Sequence, residues 1–234
     1  VNLSERDTQL TELMDDASCD PVLLRRTLHR FAVVNRVVSG WGRVYRSHLR
    51  SALARLDRPA RILDIGCGAG DVLRRLVRLT HADGFAVDAL GIDPDERALA
   101  VAARAEQPSS LRFRRADSSE LVAEGARFDI VISNHLLHHL STSGFGRLFA
   151  DSNALTDGLC VHSDIARSHL AYAAYAIGIT PLAPGSLLRT DGLRSIRRSY
   201  TRSELDAALP DGWRSEQAGV FRLLAVHAPG ARSS

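Results

Sequence analysis

The stretch Arg61-Ile-Leu-Asp64-Ile-Gly66-Cys-Gly68-Ala-Gly70-Asp71 constrains the fold more than any other. A short apolar run, Arg61–Ile65, reads as a buried strand. Three alternate glycines follow it, and then Val72, Leu73, Leu76 and Leu79 recur at helical spacing over Asp71–Thr80. Glycines between a strand and a helix let the backbone turn tightly and approach a ligand with no Cβ in the way. Such a loop belongs at the carboxyl end of a strand in an open parallel sheet.

The pattern continues along the chain. Strands are expected at Phe85–Asp93, Leu111–Ala116, Phe128–Ser133 and Leu159–Ser163. Helices are expected at Pro94–Glu106, from Ser118, and at Gly144–Leu155. Strands separated by helices argue for a parallel sheet covered on both faces. Residues 1–58 read as helices, with Leu23, Leu24, Leu28, Phe31, Val34 and Val38 near helical spacing, and Pro59 marks the join. After the fifth strand comes an apolar helix, Ile165–Ile179, and then a loop over Thr180–Gly192. Thr201 and Glu204 form a capping box for a short helix ending near Leu209. Trp213–Ala218 and Val220–His227 read as an antiparallel pair closing the sheet edge, and the last seven residues, APGARSS, as a disordered tail. The expected fold is a Rossmann-like, doubly wound α/β sheet of seven mostly parallel strands. It carries an N-terminal helical cap (1–58) on a main domain (59–234) with an insertion at about 165–192.

Composition removes several classes of function. Every Lys-or-Arg position is arginine, yet the net charge is only +3 and no long basic run occurs, so a nucleic-acid partner is not implied. No run reaches the ~18 apolar residues needed to span a bilayer, so stable membrane insertion is not expected. The polar N-terminus does not read as a secretory signal. The three cysteines, Cys19, Cys67 and Cys160, fit neither a zinc motif nor a disulfide framework, which suits a reducing, cytoplasmic setting.

Acids recur at the ends of the expected strands: Asp64 before the glycines, Asp93 in GIDPD, Asp117 in RADSS and Asp164 in CVHSDI. A dinucleotide loop would place glycine where Asp71 stands. An acid at position 64 also suits a cationic ligand better than a pyrophosphate. DIGCGAGD, GIDPD, RADSS and NHLLHHL, in this order and spacing over residues 60–165, resemble the successive motifs of the class I S-adenosylmethionine-dependent methyltransferases. The resemblance implies that Asp64, Gly66, Gly68 and Gly70 hold the methionine end of the cofactor. It implies ribose contacts from Asp93, with Pro94 beside it, and adenine contacts from Asp117 and Ser118. Asn134 and His135 would line the cofactor from the other side. S-adenosylhomocysteine would be the product.

Ser133-Asn-His135-Leu-Leu-His138-His139 follows the fourth strand; a helical turn there would put His135, His138 and His139 on one side. An imidazole titrating near neutrality is suited to take a proton from a hydroxyl. His138 or His139, oriented by Asp164, is the expected catalytic pair. The alternative is that these histidines only form a wall. His135 and His139 also have the spacing of zinc ligands, but Leu136 stands where H-E-x-x-H has glutamate, and no metal is expected. FAVVNRVVSGWGRVYR, HSDIARS and GLRSIRRSYT further resemble methyltransferases encoded beside bacterial type III polyketide synthases. That implies O-methylation, ahead of C-methylation, of a hydrophobic phenolic or polyketide-derived small molecule by a monomer or homodimer. The rival readings are a methyltransferase acting on RNA or protein, and a cofactor-binding homologue without turnover. Absence of N-P-P-Y after the fourth strand argues against adenine N-methylation.

Overall fold

A computed structural model describes residues 2–228; all but Ala228 of the expected disordered tail lies outside the described residues. Seven strands form one sheet in the order β3-β2-β1-β4-β5-β7-β6. They are β1 (Ala60–Ile65), β2 (Val87–Asp93), β3 (Leu111–Arg115), β4 (Ile130–Asn134), β5 (Leu159–Ile165), β6 (Arg214–Gln217) and β7 (Arg222–His227). The first five pair in parallel, and β7 runs antiparallel to both β5 and β6. The doubly wound, Rossmann-like sheet expected from the apolar runs is the one observed.

Alternation along the strands assigns the two faces. Ile62, Ile130, Ile132, Val161 and Val226 point to one side, and Leu63, Val131, Cys160 and Ala225 to the other. The first face is covered by α4 (Asp71–Ala82) and by a broken helical rod. This rod runs from α2 (Trp41–Val44) through a single wide π turn (Tyr45–Leu49) into α3 (Arg50–Leu53). Trp41, Val44, Tyr45, Leu49 and Leu53 are all buried there, so residues 41–53 are part of the sheet's own core. The opposite face is covered by α6 (Ser118–Ala123), α7 (Thr142–Leu155) and α10 (Arg202–Ala208), through Leu121, Phe145, Phe149 and Leu205.

α5 (Glu96–Arg104) packs against β2 and β3. The remaining helices, α1 (Pro21–Val38), α8 (His169–Gly178) and α9 (Leu188–Arg198), line the cavities at the carboxyl ends of the strands. Asp20 caps α1 by accepting from the Leu23 N–H, with Pro21 in the first turn. The α10 capping box forms as expected, with Glu204 N–H on Thr201 and Thr201 N–H on Glu204.

Three local expectations are corrected. Residues 2–20 are not helical apart from one tight turn at Leu13–Asp15; this segment is held from outside, by side chains of α9 and α5. The apolar helix after β5 starts at His169, where Ser168 caps it. The expected loop over 180–192 is short, because α9 begins at Leu188. Gly192 in the middle of that helix looks like a breaker in the sequence. In the structure it is where α8 crosses: a Cβ there would meet the Tyr175 hydroxyl at 2.1 Å, and that hydroxyl donates to the Leu188 carbonyl at 2.7 Å.

Gly192→Ala therefore forces the two helices apart despite its better helix propensity. The expected loss is about 1–3 kcal/mol in a denaturant melt, with much of it restored when Tyr175→Ala is added. A melt matching or exceeding wild type would show that the crossing tolerates a side chain.

Candidate functional site

The order of strands reverses between β1 and β4, which opens a crevice at their carboxyl ends. A cavity of about 580 Å³ lies there. Its walls bring together Asp64, Gly66, Gly68, Asp93, Pro94, Asn134, His135, His138 and His139, from three segments widely separated in sequence.

Positive φ at Gly66, Gly68 and Gly70 makes the loop between β1 and α4 possible. A Cβ at Gly68 would meet nothing within 4 Å, so that backbone faces open space. Asp93 ties the loop down, with Oδ2 accepting from the Gly68 N–H at 2.8 Å and Oδ1 from the Asp95 N–H at 2.9 Å. Asp64 is 1% exposed, and its Oδ1 has no hydrogen-bond partner among the described residues. Burial, and then the neighbouring charges of Asp71 and Asp93, push its carboxyl well above the usual range. A buried carboxylate lacking a partner, in the wall of a cavity, is a seat for a cationic group.

On the other wall, His135 takes a left-handed backbone conformation (φ 58°), uncommon for a residue with a side chain. The sequence did not point to Arg222, which holds this corner from β7. Its guanidinium is 3% exposed and donates to Asn134 Oδ1 at 2.5 Å, to Ser163 Oγ at 2.8 Å and to the His135 ring. Trp41 Nε1 also donates to Asn134 Oδ1, at 2.9 Å. Burial and the Arg222 charge hold His135 well below its ordinary value, so it stays neutral.

The turn at Leu137–His139 is a tight three-residue one; it buries His138 and leaves His139 partly exposed. His138 Nδ1 lies 2.7 Å from Asp164 Oδ1, and the His138 N–H donates to Asp164 Oδ2 at 2.9 Å. The expected His138–Asp164 pair is thus in contact. Glu12, from the N-terminal segment, stands on the far side of the ring, 3.2 Å from His138 Nε2 and 3.5 Å from His139 Nε2. Burial alone would push His138 down; Asp164 and Glu12 outweigh it and raise the imidazole to about 9. Burial pushes Asp164 up, but the His138 charge and hydrogen bond dominate and hold it below the usual carboxylate range. Glu12 was invisible to motif reading, since it sits in a polar stretch 126 positions before its partner.

Several expected residues lie away from the cavity wall. Asp117 is exposed and serves as the cap of α6, accepting from the Glu120 N–H at 3.0 Å. Ser118 donates to Asp151 Oδ2 at 2.6 Å. Gly70 makes room for Phe113, which a Cβ would meet at 2.2 Å. Asp164 sits behind His138. Conversely, Asp71 lines the cavity and accepts from Asn35 Nδ2 at 3.0 Å. Cys67 also lines it, but burial raises its thiol, which leaves it unreactive.

A second cavity of about 320 Å³ adjoins the first. It is walled by Val34, Ile165, Ala174, Tyr175, Ile179, Ile196 and Phe221, and it shares Phe31, Asn35, His135 and Ser195 with its neighbour.

Comparison with known proteins agrees with this geometry. Residues 62–157 match the family model described as methyltransferase domain. This stretch is similar to that family's domain, and it includes the glycine loop, Asp93 and the His135–His139 turn. Over 172 residues the chain is 31% identical to a ubiquinone biosynthesis O-methyltransferase of Methylocella silvestris, covering 66% of this chain and 64% of that protein. It is 38% identical over 105 residues to the enzyme of that name from Caulobacter vibrioides, covering 40% of this chain and 39% of that one. The chain thus spans about half the length of the curated relatives it matches. Among solved structures, the plantazolicin methyltransferase BpumL, in complex with a monoazolic desmethylPZN analog and SAH, superposes with a TM-score of 0.60 at 14% identity. That match covers 88% of this chain and 96% of that one, a likeness of fold.

The orphaned Asp64 makes a prediction about the free protein. Its carboxyl titrates higher folded than unfolded, so stability is lost as pH rises through the folded value. Asp64→Asn should be more stable than wild type near neutral pH by about 1–3 kcal/mol, and the gap should narrow as the solution is acidified. Denaturant melts at several pH values without ligand check this; a destabilised variant would mean that the carboxylate is satisfied.

Proposed function

We propose that the chain transfers a methyl group from S-adenosylmethionine to a hydroxyl of a hydrophobic, phenolic or polyketide-derived small molecule. The reading rests chiefly on one observation: a polar cavity walled by the glycine loop and an apolar cavity meet at His135, Asn35 and Ser195, beside a buried carboxylate–imidazole cluster. When bound, S-adenosylmethionine supplies an electrophilic methyl on a sulfonium.

In this reading Asp64 accepts the ammonium of the cofactor's amino-acid end, and Gly66 and Gly68 let the backbone approach it. Asp93 meets the ribose hydroxyls, with Pro94 beside them. Asn134 and His135 form the facing wall, and their lack of free charge suits a cationic ligand. Asp117 and Ser118 keep the adenine role only if the bound cofactor reaches past the cavity's present edge; Gly70 supports the loop. The apolar cavity receives the acceptor's ring or chain and excludes water. The cluster of His138, His139 and Glu12 Oε1 receives the acceptor hydroxyl, and His138, raised to about 9, accepts its proton once the solution is alkaline enough to leave that ring neutral, while Asp164 fixes the ring from behind. Ubiquinone O-methyltransferases appear among the relatives, in keeping with a phenolic acceptor.

Titration of S-adenosylhomocysteine by calorimetry should show micromolar binding, weakened by about 1–3 kcal/mol in Asp93→Ala through loss of charge-assisted hydrogen bonds; equal affinity removes Asp93 from the ribose. Incubation with S-adenosylmethionine and alkyl-substituted phenols should yield singly methylated product by mass spectrometry. His138→Gln should then cut turnover by about 10²–10⁴-fold with S-adenosylhomocysteine affinity unchanged. Near-normal turnover would assign the ring a wall-forming role.

A further inference from the structure

The cluster around His138 is unusual in which atoms face one another. Glu12 Oε1, His138 Nε2 and His139 Nε2 converge, with one ligand atom from each residue within 4.8 Å of the others. Behind each ring stands a second carboxylate: Asp164 lies 2.7 Å from His138 Nδ1, and Asp15 lies 3.2 Å from His139 Nδ1. A carboxylate at Nδ1 fixes the proton there and turns the Nε2 lone pair forward, which is how metal-ligating histidines are commonly oriented. Ser195 Oγ donates to Glu12 Oε1 at 2.5 Å and fixes that side chain as well. Three carboxylates surround two imidazoles; Arg222 acts on Asp164 and Arg97 on Asp15 from outside the cluster, while among the described residues the Glu12 carboxylate faces only the two rings and Ser195. The Arg198 guanidinium donates to the backbone carbonyls of His138, His139 and Leu10.

We propose that Glu12 Oε1, His138 Nε2 and His139 Nε2 form a three-ligand site for a divalent cation of the zinc class, oriented from behind by Asp164, Asp15 and Ser195. Two imidazoles and one carboxylate make a donor set that suits zinc and leaves a fourth position open. Magnesium and calcium prefer oxygen-only ligands. All three ligands line the larger cavity, so the open position faces it. The site differs from the His135/His139 pairing suggested by sequence spacing, because the His135 ring is taken by Arg222. The inference rests on the methyl-transfer reading for its use: an acceptor oxygen bound to the ion would give up its proton more readily than a free one.

The test uses the full chain, stripped of metal with a chelator and titrated with zinc sulfate alone. One zinc per chain at micromolar affinity or tighter is expected, and cobalt(II) in its place should give the visible absorption of a four-coordinate ion. Glu12→Gln and His139→Ala should each weaken zinc binding by at least ~10-fold, and Asp164→Asn by about 10–100-fold. Cys19→Ser, which removes the one thiol that is not buried, should leave it unchanged. S-adenosylhomocysteine titration of every variant reports whether the cleft is intact. Cofactor binding without stoichiometric zinc, or zinc bound equally by wild type and the ligand variants, overturns the ion and leaves the methyl-transfer reading standing. Zinc binding without cofactor binding keeps the ion and sinks that reading, and loss of both sinks both.

Discussion

Between β1 and β4 the connections depart to opposite faces of the sheet, and no helix can fill the gap this leaves at their carboxyl ends. The rest of the molecule is arranged around that constraint. The glycine loop leaves β1 on one side of the gap, and the His135–His139 turn leaves β4 on the other. Asp93 arrives from the next strand outward, Asp164 from the next strand in the other direction, and Arg222 from the antiparallel strand beyond it. The acids and histidines reach the same space because parallel neighbours deliver their ends to one edge of the sheet, and Arg222 reaches it as the first residue of antiparallel β7.

That edge holds an unusual amount of negative charge for a partly closed space. Asp64, Asp71 and Asp93 are all pushed above the usual carboxylate range by burial. Asp164 and Glu12 escape this because His138 lies between them. The two groups divide the cavity by chemistry. One side is a set of acids short of cationic partners; the other is a set of acids already matched with imidazoles. A chain selected for stability alone would not keep the first set, since unpaired buried carboxylates cost free energy.

Most of the sheet was legible because its strands are apolar runs bounded by turn residues, and because the alternation of Ile62 with Leu63 serves two cores at once. The loop glycines and strand-end acids were legible because each follows a run that could only be a strand. The failures have physical causes. α9 was hidden because Asp191 and Gly192 look like loop residues; Gly192 is there for Tyr175, while Asp191 accepts the N–H groups of Leu13 and Met14. At Asp117 the sequence showed a strand-end acid but not that its carboxylate also caps α6. Glu12 and Arg222 carry no local signal, for their partners lie far away in sequence. The helical reading of the first twenty residues failed because their order comes from neighbours.

The way residues 10–16 are attached has a consequence for how the site comes apart. Arg198, Arg194 and Asp191 of α9 and Arg97 of α5 grip this stretch chiefly by its backbone, and the stretch contributes nothing to the two large cores that flank the sheet. Lifting it costs far less than unfolding the sheet, so it belongs to the low-stability end of the molecule. Glu12 leaves with it. Amide exchange in Leu13 and Met14 would then run ahead of exchange in β1 or β4, and the His138–Asp164 pair would outlast the contacts that Glu12 and Asp15 make with the two rings.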